Sequence, residues 1–377
     1  MREAQKISTP VPPATILHRA NLVQTLINVI EPRDSGWPAP YRLILLCTPA
    51  GYGKTTLLVD TAQSLTGTCC WYVLDQSDTN LALFLHRLWA SVRCGFPNFG
   101  EHMHPLFEED RLIGEENDVA DHLVEVGNQL INALKIEITQ PLVLLFCNYH
   151  EVNEAIQINR FVDRVITNLS SWGTVVIESQ AMPDLTLAPL IARRQMFGMG
   201  MQGLRFNPQE VHELAQLQGL TAFPFAEAEQ LVQQFDGWIA GILLGSRLGY
   251  TSFQQTISSL YAEKWGVPSS SDDHRQILAY IKNEVFKHER ATYELLERVS
   301  ILARLNPVHC NTLLGIQDAA ERLAYAERRG LFMARDRENS NAGEARDYIC
   351  HPVLRHIFIE SLRQQSPEDY LHLQEQA

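Results

Sequence analysis

The stretch RLILLCTPAGYGKTTL, residues 42–57, decides how this chain is read. Arg42–Cys47 is a short apolar run of the kind that a parallel strand buried on both faces requires. Thr48-Pro49-Ala50-Gly51-Tyr52-Gly53-Lys54-Thr55-Thr56 follows as a glycine loop that opens a helix over about Lys54–Leu65. In a phosphate-binding loop, successive backbone N–H groups curl around the β-phosphate, which demands small residues and positive φ. Ala50, Gly51, Tyr52 and Gly53 would form the cradle, with Thr56 in the first helical turn. Lys54 would reach the β- and γ-phosphates, and Thr55 would ligate Mg²⁺. The helix N-terminus adds partial positive charge. The strict pattern has glycine where Thr48 stands. The plainer alternative is a tight turn between a strand and a helix.

Outward from this loop, strands alternate with helices. A short amphipathic helix, Arg19–Ile30, precedes it; Cys70–Leu74 reads as a strand, followed by a helix containing Phe84, Leu85 and Leu88. Phe96–Asp118 reads as a polar loop. A helix at about Val119–Leu134 leads to the strongest apolar strand, Leu142–Cys147, then a helix near Ile156–Leu169 and a strand at Thr174–Glu178. This alternation predicts a parallel, doubly wound α/β sheet.

Beyond about residue 205 the pattern becomes helical: Pro208–Leu217, Ala226–Phe235, and a helix starting near Trp238, with no further strand expected until Leu331. Ser269–Asp273 reads as an exposed connection. Helices at about Arg290–Leu302, Val308–Leu314 and Ala319–Arg329 precede a hairpin, Leu331–Arg335 with Tyr348–Cys350, whose polar tip is Glu338–Glu344, and then a last helix. Three helices and a two-stranded wing make a winged-helix pattern. The expected division is a nucleotide-binding domain at 1–200, a small helical domain at 201–270 and a winged helix at 271–377.

Composition narrows the function. With 31 basic and 44 acidic residues the formal charge is −13, which argues against non-specific nucleic-acid or anionic-membrane binding. Apolar runs such as Pro141–Cys147 fall far short of the ~20 residues that cross a bilayer. The cysteines at 47, 69, 70, 94, 147, 310 and 350 are odd in number and form no CxxC pair, and the N-terminus lacks the apolar core of a signal peptide. The expectation is a cytoplasmic protein. Glu101, His102, His104, Glu108, Glu109 and Asp110 have no spacing that would converge them on a metal, and read as a solvated loop. Arg322, Arg328 and Arg329 interleave with Glu321 and Glu327 as an ordinary solvated face, which argues against direct DNA binding by this chain.

Thr48–Leu57 also resembles the SPAGYGKTTL segment of the MalT-like STAND-class P-loop NTPases. The resemblance continues through Trp71–Asn80 (WYVLDQSDTN), Leu204-Arg205-Phe206 with Glu210, Gly237-Trp238-Ile239-Ala240-Gly241, and His351-Pro352-Val353-Leu354-Arg355, which is similar to the family's HHLFR. These landmarks run from about residue 10 to 365. They imply an AAA+/STAND-like ATPase domain, a small all-α domain and a winged helix. They correspond to the nucleotide-switch part of a regulator that usually continues into a helical-repeat sensor and often a helix-turn-helix DNA reader. The resemblance also implies that ATP or ADP binds, with Arg19, Val11 and Pro12 near the nucleotide and His351 reaching the β-phosphate in an ADP-bound state. An ordinary helix-capping His beside Pro352 is the plain alternative for His351. Pro224 and Gly237-Trp238 admit a nucleotide-sensor reading, though helix capping and core packing explain them as well.

The chain departs from that family where hydrolysis is carried out. The family's D-D-Y-H is here Cys147-Asn148-Tyr149-His150, so neither of the first two positions carries a negative charge at pH 7. The metal loses a hard oxygen partner and the attacking water its base. The family's Ser-Arg sensor pair is Ser179-Gln180, and a neutral amide cannot neutralise developing phosphate charge. The expectation is therefore a nucleotide-binding switch with weak or absent hydrolysis, self-associating in the ATP state and answering to an unknown inducer or partner protein. Two alternatives stand beside it: a slow ATPase that recruits Asp75, Glu151 or Glu178, and an interaction scaffold with a vestigial site.

Overall fold

A computed structural model describes residues 3–10, 16–31, 41–107, 116–244, 278–286, 289–335 and 347–377. The chain divides into two compact units: Met1–Thr48 with Lys54–Leu204, and Pro49–Gly53 with Arg205–Ala377. Among the described residues, no helix is long and apolar enough to cross a membrane.

The first unit is built on a five-stranded parallel sheet. Its strands are β1 (Leu43–Cys47), β2 (Thr68–Val73), β3 (Leu142–Cys147), β4 (Gly173–Ser179) and β5 (Met196–Met199), in spatial order β2-β3-β4-β1-β5. The alternation of apolar strands with helices in the sequence is thus realised as a parallel α/β sheet. Because successive strand residues point to opposite faces, Leu43, Leu45, Leu144, Phe146, Val175 and Ile177 enter one large core cluster. Their neighbours Ile44, Leu46, Val143, Leu145 and Val176 are equally buried.

The helices of this unit are α1 (Glu3–Lys6), α2 (Ala20–Ile30), α3 (Lys54–Ser64), α4 (Leu81–Gly95), α5 (Glu116–Ile136), α6 (Ile156–Asn168), α7 (Ala188–Ala192) and α8 (Met201–Leu204). Two expectations need correction. The stretch Phe96–Asp118 is not a plain polar loop. Phe99 and Met103 are buried, a 3-10 turn covers Glu101–Phe107, and α5 already begins at Glu116. The sequence reading also passed over β5. Its Met196-Phe197-Gly198-Met199 has neither alternation nor β-branched residues, and it is a strand because β1 offers a pairing edge, Leu43 opposite Met196.

The second unit contains α9 (Pro208–Leu217), α10 (Phe225–Phe235) and α11 (Ile239–Leu244), then α12 (Arg290–Val299), α13 (Pro307–Leu314) and α14 (Ala319–Arg328). The antiparallel wing β6 (Met333–Arg335) and β7 (Tyr348–Cys350) follows, with Leu305 bridging to Tyr348 as a third short arm. The single last helix expected is two, α15 (Pro352–Gln365) and α16 (Pro367–Gln376), because Pro367 starts a new helix one residue after the first ends. Arg355 donates to the carbonyls of Leu302 and Ile301, just past the end of α12. The wing tip and the Ser269–Asp273 connection lie outside the described residues.

In the first unit one buried carboxylate fastens three elements. Asp78, fully buried, accepts from Lys6 Nζ at 2.7 Å, from the Tyr72 hydroxyl at 2.8 Å and from Arg87. Removing one member of a buried charge cluster leaves the others uncompensated. Asp78→Ala should therefore lower stability by about 3–5 kcal/mol, read as a lower urea midpoint. An unchanged midpoint would show that the cluster contributes nothing net.

Candidate functional site

β1 is followed by Thr48, whose N–H donates to Ser179 O at 3.3 Å, continuing the ladder between β1 and β4. α3 begins at Lys54, which is 5% exposed, while Thr55 and Thr56 are exposed on its first turn. Lys54 Nζ donates to Thr48 O at 2.7 Å and lies 3.3 Å from Glu178 Oε1. Glu178, next to last in β4, is 2% exposed and accepts the Asn148 N–H on Oε2 at 2.9 Å. The C-terminal ends of parallel strands are where α/β sheets bind ligands. Here the ends of β1, β3 and β4 bring Thr48, Lys54, Asn148 and Glu178 together.

The positions that depart from the family pattern have clear local causes. Cys147 is fully buried, and desolvation, reinforced by Glu178, pushes its thiol well above the ordinary range, so it carries no charge at neutral pH. Cys47, at the end of β1, is raised to about 11, chiefly by burial, with Lys54 opposing and Glu178 adding. Asn148 sits at φ 58°, ψ 40°, a left-handed conformation that Asn and Asp tolerate far better than most residues. Asn there preserves the backbone while leaving the charge out. Gln180 is half-buried and its N–H donates to His150 Nδ1 at 3.4 Å.

The acids named as substitutes differ sharply. Asp75 accepts from Ser77 and pairs with Lys6 at 2.6 Å. Burial raises its pKa, but the Lys6 and Ser77 hydrogen bonds outweigh that and leave it at about 2, a poor base. Glu151 lies 3.6 Å from His150 Nε2. Glu178 alone among the three pairs with Lys54. Arg19 is buried and donates to Leu204 O at 3.0 Å, tying the start of α2 to the end of α8. Val11 and Pro12 lie outside the described residues.

The five residues Pro49–Gly53 pack within the second unit. Gly51 and Gly53 have φ of +80° and +77°, as a phosphate cradle requires. Trp238 Nε1 donates to Ala50 O at 2.9 Å and the Ala240 N–H donates to Gly51 O at 3.1 Å. Tyr52 is fully buried, and its hydroxyl shares a 2.9 Å hydrogen bond with His351 Nε2. His351 is the N-cap residue of α15, but its side chain makes no capping bond. Its Nδ1 has no hydrogen-bond partner among the described residues. Burial holds the imidazole neutral down to about 4, with Asp236 opposing and Arg205 reinforcing. Residue spacing gave no hint that Tyr52 and His351 meet. The available clue was a bulky aromatic between two glycines that otherwise require small neighbours.

A parallel sheet whose first strand runs through a glycine loop into a helix, in a chain that also carries a winged helix, is a P-loop NTPase fold with an appended winged helix. The chain is similar to the MalT regulators. Residues 282–370 match the MalT winged helix domain family. Over 339 residues, 86% of this chain, it is 29% identical to the HTH-type transcriptional regulator MalT of Yersinia pestis (strain Pestoides F), and over 334 residues 28% identical to that of Serratia proteamaculans (strain 568). The match covers 33% of either regulator, so the chain spans about a third of their length. A Walker-type ATPase of Pyrococcus abyssi, 12% identical, superimposes with a TM-score of 0.48 over 93% of this chain and 99% of its own.

Two predictions follow from these contacts. Gly51→Ala and Gly53→Ala both force a side chain to positive φ, at about 1–2 kcal/mol. A Cβ at 51 would also meet Ala240 Cβ at 2.5 Å and Trp238 Nε1 at 2.6 Å, whereas the nearest atom to one at 53 is 3.8 Å away. Gly51→Ala should melt lower, and the reverse order would contradict the docking of the loop on Trp238. For His351, the unfolded chain takes up its proton near 6.5 and the folded chain only near 4. Stability is therefore complete above about pH 6.5 and falls as pH drops through this window, by on the order of 2 kcal/mol at about pH 5. Urea titrations at neutral and mildly acidic pH should show a shallower loss in His351→Gln than in the parent chain.

Proposed function

We propose that this chain is the adenine-nucleotide-responsive module of a MalT-like transcriptional regulator. It binds ATP or ADP on the loop Ala50–Thr56, with Lys54 on the phosphates, and its conformation and self-association follow the nucleotide bound. The reading is carried by one observation: the glycine loop joins β1 to α3 with both glycines at positive φ and Lys54 buried at the head of the helix. Arg19 and His351 are proposed nucleotide contacts on the strength of the family resemblance. The domain limits 1–200, 201–270 and 271–377, a cytoplasmic location and response to an inducer belong to the same proposal.

The residues present suit a magnesium ion, which takes hard oxygen donors. Thr55 offers a hydroxyl and Glu178 a carboxylate, while the neutral Cys147 thiol offers neither charge nor a hard atom. When bound with nucleotide, the ion would neutralise phosphate charge. With no acid at Cys147 or Asn148 and no cation at Gln180, hydrolysis is proposed to be weak or absent. Asp75, committed to Lys6, does not restore it. A switch of this kind is reset by nucleotide exchange or a partner's differential affinity for its two states.

The test traps labelled ATP on the protein with Mg²⁺, identifies the retained nucleotide, and compares Lys54→Ala. Retained, unhydrolysed ATP that is lost in the variant is expected. ATP at about 100 times its Kd should also stabilise the parent chain by ~2.7 kcal/mol relative to its own unliganded state, and the variant much less. Sustained Lys54-dependent turnover would instead make the protein an enzyme. An absence of both retained label and stabilisation would leave an interaction scaffold.

A further inference from the structure

We propose that Glu178 supplies, from β4, the negative charge that Cys147 and Asn148 lack at the end of β3, and that it thereby makes nucleotide binding depend on a divalent cation. The inference rests on the reading of the glycine loop as a nucleotide site. β4 reads Gly-Thr-Val-Val-Ile-Glu-Ser and is buried along its whole length. A carboxylate in such a strand is costly unless it is compensated, and an apolar residue would fill the same place without that cost.

Its two oxygens are divided between the two flanking strands. β4 lies between β3 and β1, with Glu178 in register with Leu46. Oε2 accepts the N–H of Asn148, immediately after β3, at 2.9 Å. Oε1 faces Lys54, reached from β1 through the glycine loop, at 3.3 Å. The shorter bond of Lys54 is the 2.7 Å one to Thr48 O, so the contact with Glu178 is the looser of the two. Glu178 thus occupies the strand that touches both the phosphate lysine and the turn from which the acids have gone.

The charge balance gives the consequence. Lys54 and Glu178 cancel, the Cys147 thiol is neutral and Asn148 carries no charge. A bare triphosphate approaching Lys54 meets a lysine whose charge is offset by a buried carboxylate at short range, which repels it. A divalent cation bound with the nucleotide reverses this, because it is attracted by Glu178 and screens the phosphates. Converting Glu178 to a neutral amide removes the carboxylate that faces Lys54 and so should favour metal-free nucleotide.

Equilibrium binding of ATP to the full chain, with Mg²⁺ or with EDTA, tests this in the parent, Glu178→Gln and the apolar Glu178→Leu, each checked for folding by circular dichroism. The parent should lose affinity by about tenfold or more in EDTA. The Gln variant should lose less than about threefold and bind metal-free ATP more tightly than the parent does. The Leu variant, which suits its apolar strand, should show the same reduced dependence. With ATP present, the Mn²⁺ electron paramagnetic resonance signal should report protein-bound metal in the parent and weaker binding in both variants. Equal metal dependence in all three proteins, or none in the parent, would overturn the proposal and leave Glu178 as a structural ion-pair partner. Failure of the parent to bind ATP with Mg²⁺ would instead overturn the nucleotide-site reading itself.

Discussion

A lysine ammonium buried at the head of a helix sets the terms for the first unit. Lys54 must find oxygen atoms within the fold, because an isolated buried cation costs far more than a domain's net stability. The carbonyl of Thr48 comes within reach because a chain that turns through two positive-φ glycines brings the start of α3 back over the end of β1. Glu178 answers from the neighbouring strand. The parallel order β3-β4-β1 is what sets those three strand ends side by side. The buried base and the buried acid are therefore one arrangement, and each would be a liability without the other.

In the second unit the same loop is held by its carbonyls. Trp238 and Ala240 take the oxygens of Ala50 and Gly51, while Tyr52 is anchored by His351. These donors hold the loop's carbonyls from within the second unit. Preorganisation of this sort lowers the ordering cost of binding. It also gives Trp238 a definite task. The indole is fully buried, as a core residue would be, and its N–H satisfies a loop carbonyl as a purely packing residue would not.

The strand-helix alternation was legible because β1, β3 and β4 are strongly apolar runs and their helices carry clear amphipathic spacing. β5 was not legible, because Met196–Met199 owes its conformation to a neighbouring edge and not to its own residues. The glycine loop, Lys54 and the loss of acids at Cys147 and Asn148 could be read directly. Pairings such as Tyr52 with His351 could not, since they join residues 299 apart through the fold. Glu178 was legible as a candidate acid, but only the contacts made in the fold separate it from Asp75 and Glu151.

That separation is a matter of what each carboxylate already does. Asp75 is spent: a lysine and a serine hold it, and its basicity is correspondingly low. Glu151 neighbours a histidine at a distance too long for a hydrogen bond. Glu178 divides its oxygens between a backbone N–H and Lys54, so its charge lies among the ends of β1, β3 and β4. Moving an acid from the end of β3 to β4 also changes what that acid can do. Glu178 is enclosed within β4, with one oxygen on the Asn148 N–H and the other toward Lys54. In that setting it acts on the charge balance around Lys54.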